Sequence, residues 1–415
     1  MMHQSDRVPR RTLDRFKRWF WRSPRAHGDT ILDRRVSPLE SLYDLVYAVV
    51  ISQAAHPLEQ HVSARHTVTF AVVFALIWIA WTNGSLYLEL HGREDGRTRA
   101  FVFIQIGILA LVAVFAPNAA DDSGPAFALA YATFLSVTTW LWYSVQRQDR
   151  VERPEFAGVT SRYVTALVVS VAVVLVSAVL PVTPRLIAWA ALAGGWLALV
   201  LLLLGSRAGQ TLGITPTESL VERFGLFTII VLGEVVFGVV TGLSAATHDV
   251  TTIVTGLVGL VIGFGFWWIY FDVVGGRLPN SDGRAIATWI VSHCPITLSI
   301  AAAGAGMIGL IEHAHDIRTP TPTAWLLTGA VAIGLLAVIV AANSLADARR
   351  LTAAYRPLSA VTAAGAVAAA IVGWTRPAPL LLAALFVVIL SVLWAVAVGG
   401  FLRVGAWGEE SSSKG

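Results

Sequence analysis

A few ionisable side chains sit inside long apolar runs of this sequence, and these are the groups with which it could do chemistry. Glu40 and Asp44 lie in one run, Glu222, Arg223 and Glu234 in another, Asp272 at the end of a third and His293 in a fourth. An ionised side chain at mid-bilayer costs about 2.5–3.5 kcal/mol on insertion scales, so such residues face a bundle interior or a wet cavity. There they serve as ion ligands, proton relays or ion pairs. Glu40 and Asp44 are one helical turn apart and share a face. Glu222 and Gly233 differ by about 20° on the wheel, so the glycine is expected to open close approach on the carboxylate's face. Glu234 is turned about 120° from Glu222.

His293 belongs to the string Ser292-His293-Cys294-Pro295. Proline there removes a backbone hydrogen bond and frees a carbonyl near mid-membrane. A freed carbonyl beside a histidine suits ion or proton ligation; the alternative is a packing kink with a satisfied core histidine. For the carboxylates the alternative is structural, with Arg223 pairing with Asp44, Glu222 or Asp272 and locking helices together. The one cation in Glu234's helix, Arg223, lies three turns away, which favours a titrating role. Asp44, Glu222, Glu234, His293 and Asp272 are therefore the candidate path for a proton, an ion or a small solute. Glu40, Arg223, Asn83 and Pro295 are the candidate pairing or structural positions.

Other chemistries find little support. The single cysteine, Cys294, excludes an internal disulfide and a multi-thiolate metal site, and the histidines are scattered. No phosphate-binding glycine loop is present, and neither H-E-x-x-H nor G-x-S-x-G occurs, so neither cofactor nor metal is expected. An acid–base enzyme acting on lipid is the least supported reading, and a non-transporting scaffold whose charges only pack helices stands between it and a transporter.

The elements that must position these residues follow from composition. Hydrophobic residues make up 56% of the 415 and charged ones 13%, which is the balance of a membrane protein. A spanning helix needs about 20 mostly apolar residues. Runs of that kind predict an all-α polytopic bundle of about twelve transmembrane helices, near 39–56, 67–87, 99–117, 124–145, 160–181, 184–205, 217–241, 251–273, 284–311, 321–345, 354–373 and 377–400.

With the N-terminus inside, the segments assigned to the exterior hold only Arg65, Arg185, Arg318 and Arg376. Apart from Arg223, the remaining lysines and arginines fall on the cytoplasmic side. The basic residues thus report topology, with both termini cytoplasmic in a bacterial inner membrane, and do not point to nucleic acid. Residues 1–38 form a basic cytoplasmic tail. Its stretch Arg10–Arg22, with Phe16, Trp19, Phe20 and Trp21 among the cations, is either an interfacial helix on anionic lipid or an unstructured tail. Six helices over 39–205 and six over 217–400, joined by a linker at 206–216 and followed by a tail at 401–415, share orientation. They form two possible parallel repeats.

Four ordered strings carry a family resemblance. E-S-L-Y-D-L-V-Y-A-V-V-I (Glu40–Ile51) resembles the E-L-F-Y-D-L-V-F opening of the bacterial low temperature requirement A family, with Tyr47 where that family usually has phenylalanine. E-R-F-G-L-F-T-I-I-V-L-G-E (Glu222–Glu234), W-W-I-Y-F-D (Trp267–Asp272) and the H-x-P of His293–Pro295 are similar to its later signatures. The resemblance implies a multi-helix membrane protein, linked in some bacteria to growth in the cold. It names no substrate.

The orientation is testable. Cysteines placed at Asp121 and His248 are expected to react with impermeant thiol reagents in intact cells, and cysteines at Arg150 and Arg349 only after permeabilisation. Labelling of the last two from outside would break the assignment.

Overall fold

Five of the long helices begin at a capping side chain. The computed structural model describes residues 15, 20, 23–27, 36–93, 95–205 and 216–404. Ser37 opens α1 (Pro38–Gln60) by accepting from the Glu40 amide at 3.3 Å. Ser63 accepts from His66 at 3.2 Å to open α2 (Ala64–His91), and Asp95 from Thr98 at 2.8 Å to open α3 (Gly96–Phe115). There follow α4 (Gly124–Glu152), α5 (Pro154–Ser177) and α6 (Val182–Gly205). Thr217 caps α7 (Glu218–Ala245) through the Leu220 amide at 3.1 Å. Asp249 caps α8 (Val250–Val273) through Thr251 at 2.9 Å and Thr252 at 3.1 Å. The hydrogen bond from His315, together with the Thr252 amide and the Thr252 and Thr247 hydroxyls, holds the Asp249 carboxyl well below the usual carboxylate range. The chain ends in α9 (Gly283–Glu312), α10 (Thr321–Asn343), α11 (Thr352–Thr375) and α12 (Pro379–Arg403).

These are twelve long helices, and among the described residues the only β pairing is an isolated bridge between Pro279 and Leu345. Ten are long and apolar enough to cross a membrane; α1 and α4 are more polar. Both of these nonetheless pack among the others, α1 on α2, α3, α7 and α9, and α4 on α2, α3 and α5. Large apolar side chains such as Phe103, Leu111, Val176, Leu202 and Ile371 point outward, as a lipid-facing surface requires.

The helices also outrun their apolar windows. Helix α1 continues to Gln60, α4 to Glu152 and α7 to Ala245, where sequence reading stopped at 56, 145 and 241. Hydropathy registers the thickness of the apolar layer, whereas a helix continues until its backbone is capped. The interfacial stretch expected at Arg10–Arg22 lies outside the described residues except for Arg15 and Phe20, as do most of the linker and residues 405–415.

Contacts between helix ends place the starts of odd-numbered helices on one face, here the near face, with the ends of even-numbered ones. Arg284 reaches the Gly205 carbonyl there, and Arg277 pairs with Asp347 at 2.7 Å. On the far face Arg65 pairs with Asp121 at 2.8 Å and His315 with Asp249 at 2.8 Å. Within the first six helices α1 touches α2 and α3, α2 touches α4 and α6, and α3 to α6 pack in chain order. Helices α7 to α12 repeat those neighbours one for one, with α8 on α9 in addition.

Helix α9 is the centre of the bundle, touching α1, α2, α6, α7, α8 and α10. Its approach to α7 depends on glycine. A Cβ at Gly304 would lie 2.6 Å from the Glu234 carbonyl, and one at Gly238 would lie 2.1 Å from the Gly304 carbonyl oxygen. Gly233, expected to be the point of close approach, meets nothing within 4 Å. Gly304→Ala should therefore lower the melting temperature of the solubilised protein, since overpacking costs about 1–3 kcal/mol. Gly233→Ala should leave it unchanged. Cys294 is the only cysteine and is buried, so a thiol dye that reacts on unfolding reads both. Equal melting curves would deny the α7–α9 contact its role.

Candidate functional site

The seam between α1 and α7 collects the charged residues. Glu40 and Asp44, one turn apart on α1, both face Arg223 of α7. Its guanidinium is 0% exposed and lies 3.0 Å from Glu40 Oε2 and 3.4 Å from Asp44 Oδ1. The Trp81 indole of α2 donates to the same Asp44 oxygen at 2.8 Å. Its ring stacks on Phe227 at 4.0 Å and meets Phe224 edge-on at 4.9 Å, fixing that donor. Tyr43 and Tyr47 extend the polar face of α1 with hydroxyls 3.1 Å apart, and the missing side chain at Gly84 makes room for the Tyr43 hydroxyl. Two carboxyls thus face one guanidinium. Asp44 Oδ2 and Arg223 Nε are buried without hydrogen-bond partners.

Glu234 lies about 16 Å further along α7, on the same buried face as Arg223. It is 7% exposed and its Oε2 has no partner. Ser52 of α1 hydrogen-bonds to the carboxyl, and Glu59, itself buried, is the charged neighbour acting on it. The half-exposed His56 ring stands 3.5 Å from Glu59 at the far end of α1. The far end of the seam therefore holds two neighbouring carboxyls, with no arginine or lysine among the described groups acting on Glu234.

His293 is a satisfied core histidine. Nδ1 donates to the Trp289 carbonyl at 2.6 Å and Nε2 faces the Tyr270 hydroxyl at 3.0 Å, while Phe224 covers the ring edge-on at 4.9 Å. Pro295 lacks the N–H that would reach the Val291 carbonyl, and two residues on Thr297 donates to the His293 carbonyl at 2.6 Å. Asn83 is tied to the Ile79 carbonyl at 2.8 Å and accepts from Tyr163 at 2.5 Å.

Two residues fall elsewhere than expected. Glu222 is exposed and does not join Asp44 or Arg223, because it shares with Gly233 the outward face of α7. The helical phase was right and the choice of inward face was inverted. Asp272 is half-buried at the end of α8, accepts from Trp394 at 2.9 Å and does not contact Arg223. Sequence reading missed Glu59, which lies beyond the apolar window, and Glu89 at the end of α2. Glu89 accepts from Thr217 at 2.7 Å and Ser219 at 2.5 Å and so joins α2 to the start of α7. The signal for both was present as a carboxylate in phase with the buried face of its own helix. Among the described residues no group of three or more histidine, cysteine or acidic side chains is arranged to hold a metal.

Long apolar helices enclosing a buried, paired set of charges define a polytopic membrane bundle. Residues 35–398 match the family of the bacterial low temperature requirement A protein (LtrA), nearly the whole chain, and the protein belongs to that family. It is also 26% identical over 304 residues to an uncharacterized protein, RA0937, of Rhizobium meliloti (strain 1021), covering 68% of this chain and 70% of that protein. No solved structure is significantly similar to it.

Removing one partner of a buried charge cluster leaves the rest uncompensated, at a cost of about 3–5 kcal/mol. Arg223→Ala is therefore expected to accumulate poorly in membranes. Combining it with Asp44→Asn or Glu40→Gln should restore part of the yield, and adding Glu222→Gln should not. Fluorescence size-exclusion of tagged variants measures this, and rescue by Glu222→Gln alone would contradict the pairing.

Proposed function

We propose that this protein is an ion- or proton-coupled translocator of the bacterial cytoplasmic membrane, with its near face and both termini toward the cytoplasm. One observation carries the reading: at the far end of the buried α1–α7 seam Glu234 and Glu59 are neighbouring carboxyls, with no arginine or lysine among the described groups acting on Glu234. At the near end Arg223 bonds both Glu40 and Asp44. Buried carboxyls of like charge are relieved by a proton or a bound cation, and its gain and loss is the event that a coupled carrier uses.

The seam lies between two six-helix halves with matching neighbour relations, and short strings recur in them. Pro38-Leu39-Glu40-Ser41-Leu42-Tyr43-Asp44 is echoed by Pro216-Thr217-Glu218-Ser219-Leu220-Val221-Glu222. Asp95-Gly96-Arg97 before α3 is echoed by Asp282-Gly283-Arg284 before α9. These support two parallel repeats whose relative movement opens the seam. A link to growth in the cold belongs to the same proposal, through the family.

A second reading, a non-transporting scaffold, draws on different facts. Arg223 is bonded to both near carboxyls, both ring nitrogens of His293 have partners, and three described cavities are lined by none of Asp44, Glu234 or His293.

Glu234 separates the two. Glutamine keeps its shape and hydrogen bonding but cannot titrate. Glu234→Gln is expected to reach normal membrane abundance and to lose at least about tenfold in proton movement in proteoliposomes carrying an internal pH dye, across a panel of cations and metabolites. Parent protein that moves protons with none of the panel, or a variant that matches an active parent, would favour the scaffold.

A further inference from the structure

Four helices each bring one polar atom without a hydrogen-bond partner among the described residues to a single level of the interior. Asp44 lies six residues in from the near end of α1, Ser85 six from that of α2, Arg223 five from that of α7 and Trp289 six from that of α9. All four residues are 0% exposed, and Asp44 Oδ2, Ser85 Oγ, Arg223 Nε and Trp289 Nε1 are unpartnered. Thr82 Oγ1 and Trp78 Nε1, one and two turns deeper on α2, are buried and unpartnered as well.

Helical phase turns these groups toward one another. At about 100° per residue, Trp78, Thr82, Ser85 and Glu89 fall within about 60° of arc on α2. That arc adjoins Trp81, which bonds Asp44 and stacks on Phe227, and it includes Glu89, which accepts from Thr217 and Ser219, so it looks onto the α1–α7 seam. Trp289 packs on Phe224, the ring that also meets Trp81. Buried hydroxyls elsewhere in the bundle are answered by their own helix. Thr228 donates to the Phe224 carbonyl at 2.9 Å, Thr362 to that of Leu358 at 2.7 Å and Ser292 to that of Trp289 at 2.8 Å. Thr82 and Ser85 are not, and buried polar groups without protein partners are met by ordered water.

We propose that a file of single waters joins the near face to Asp44, entering beside Glu89, passing Ser85 and Thr82 and held by the Arg223 Nε and Trp289 Nε1 donors, and that it delivers the proton of the translocator. None of the three described cavities is lined by Asp44, Ser85, Arg223 or Trp289, so this level offers no pocket to a solute, whereas a water takes up only about 30 Å³. The guanidinium 3.4 Å from Asp44 disfavours a metal cation there, which leaves the proton. A hydroxyl both donates and accepts, so Ser85 and Thr82 extend the file. Each step breaks one O–H bond and makes the next, and the last proton goes to Asp44 Oδ2. The delivery step rests on the translocator reading; the water file does not.

The test is radiolytic footprinting of the full-length protein in lipid nanodiscs, in which hydroxyl radicals made from ordered water oxidise the side chains beside it and mass spectrometry maps them. Trp189 is the internal control, since it is as fully buried as Trp289 but its indole donates to Ser177 at 2.8 Å. Trp78 and Trp289 are expected to oxidise at least about tenfold faster than Trp189, because buried water stays beside the groups it satisfies. Equal protection of all three would overturn the file, whatever the protein transports. In proteoliposomes Ser85→Ala should slow proton movement about three- to tenfold, as loss of one hydrogen bond predicts, and Ser85→Thr, which keeps the hydroxyl, should restore it. The Cys294 melting curve confirms that both variants are folded. Oxidised tryptophans with a fully active Ser85→Ala would overturn delivery along α2. Oxidised tryptophans in a parent protein that moves no protons would overturn the translocator and leave the water file standing.

Discussion

A single guanidinium in the interior sets the terms for the rest of this bundle. Arg223 is wholly buried and reaches two carboxyls on α1, so α1 and α7 are held together by charge at a depth where bulk water does not screen it. Desolvating three ionisable groups is expensive, and the attraction repays it only with good geometry and further donors. The Trp81 indole is one such donor. It requires the aromatic stack with Phe224 and Phe227, which in turn brings Trp289 and His293 of α9 against α7. The ion cluster therefore fixes α1, α2, α7 and α9 as one assembly, and the more peripheral α3, α5, α11 and α12 surround it.

The second constraint is steric. Where charge joins α1 to α7, glycine joins α7 to α9 at the other end of the same helix, through backbone contacts at Gly238 and Gly304 that tolerate no side chain. Association in lipid has little hydrophobic drive, so such contacts and buried polar bonds carry the cohesion. The divided labour along α7 explains why one helix carries both an arginine in its near half and small residues in its far half.

Much of this was legible in the sequence. Each helix appeared as an apolar run, because lipid demands one, and Glu40 with Asp44 could be placed on one face from spacing alone. The failures share a cause. Periodicity shows that Glu222 and Gly233 lie on one side of α7 and Arg223 with Glu234 on another, but not which side looks inward, since the helix is apolar all round and its lipid face is no more hydrophobic than its core. Glu59 was lost for a different reason, the habit of ending a spanning helix where hydropathy falls. His293, the most conspicuous lone polar group, is bonded at both ring nitrogens, and no sequence pattern distinguishes a ligand from a satisfied core histidine.

The two ends of the α1–α7 seam differ in electrostatic kind, and that difference carries the mechanistic content. At the near end opposite charges meet, so attraction holds the helices together whether or not one carboxyl carries a proton. At the far end Glu59 and Glu234 are like groups. Ionised together they repel, and a proton on either relieves the repulsion. In the proposed translocator the seam, clamped at its near end and proton-sensitive at the other, opens by splaying at its far end. The exposed His56 beside Glu59 lies at the mouth through which a proton from that side would enter. Because Gly238 and Gly304 tie α7 to α9, any splaying carries α9 with α7 and draws its His293 turn away from the first half. In that proposal a local change in charge becomes a displacement of α7 to α12 against α1 to α6.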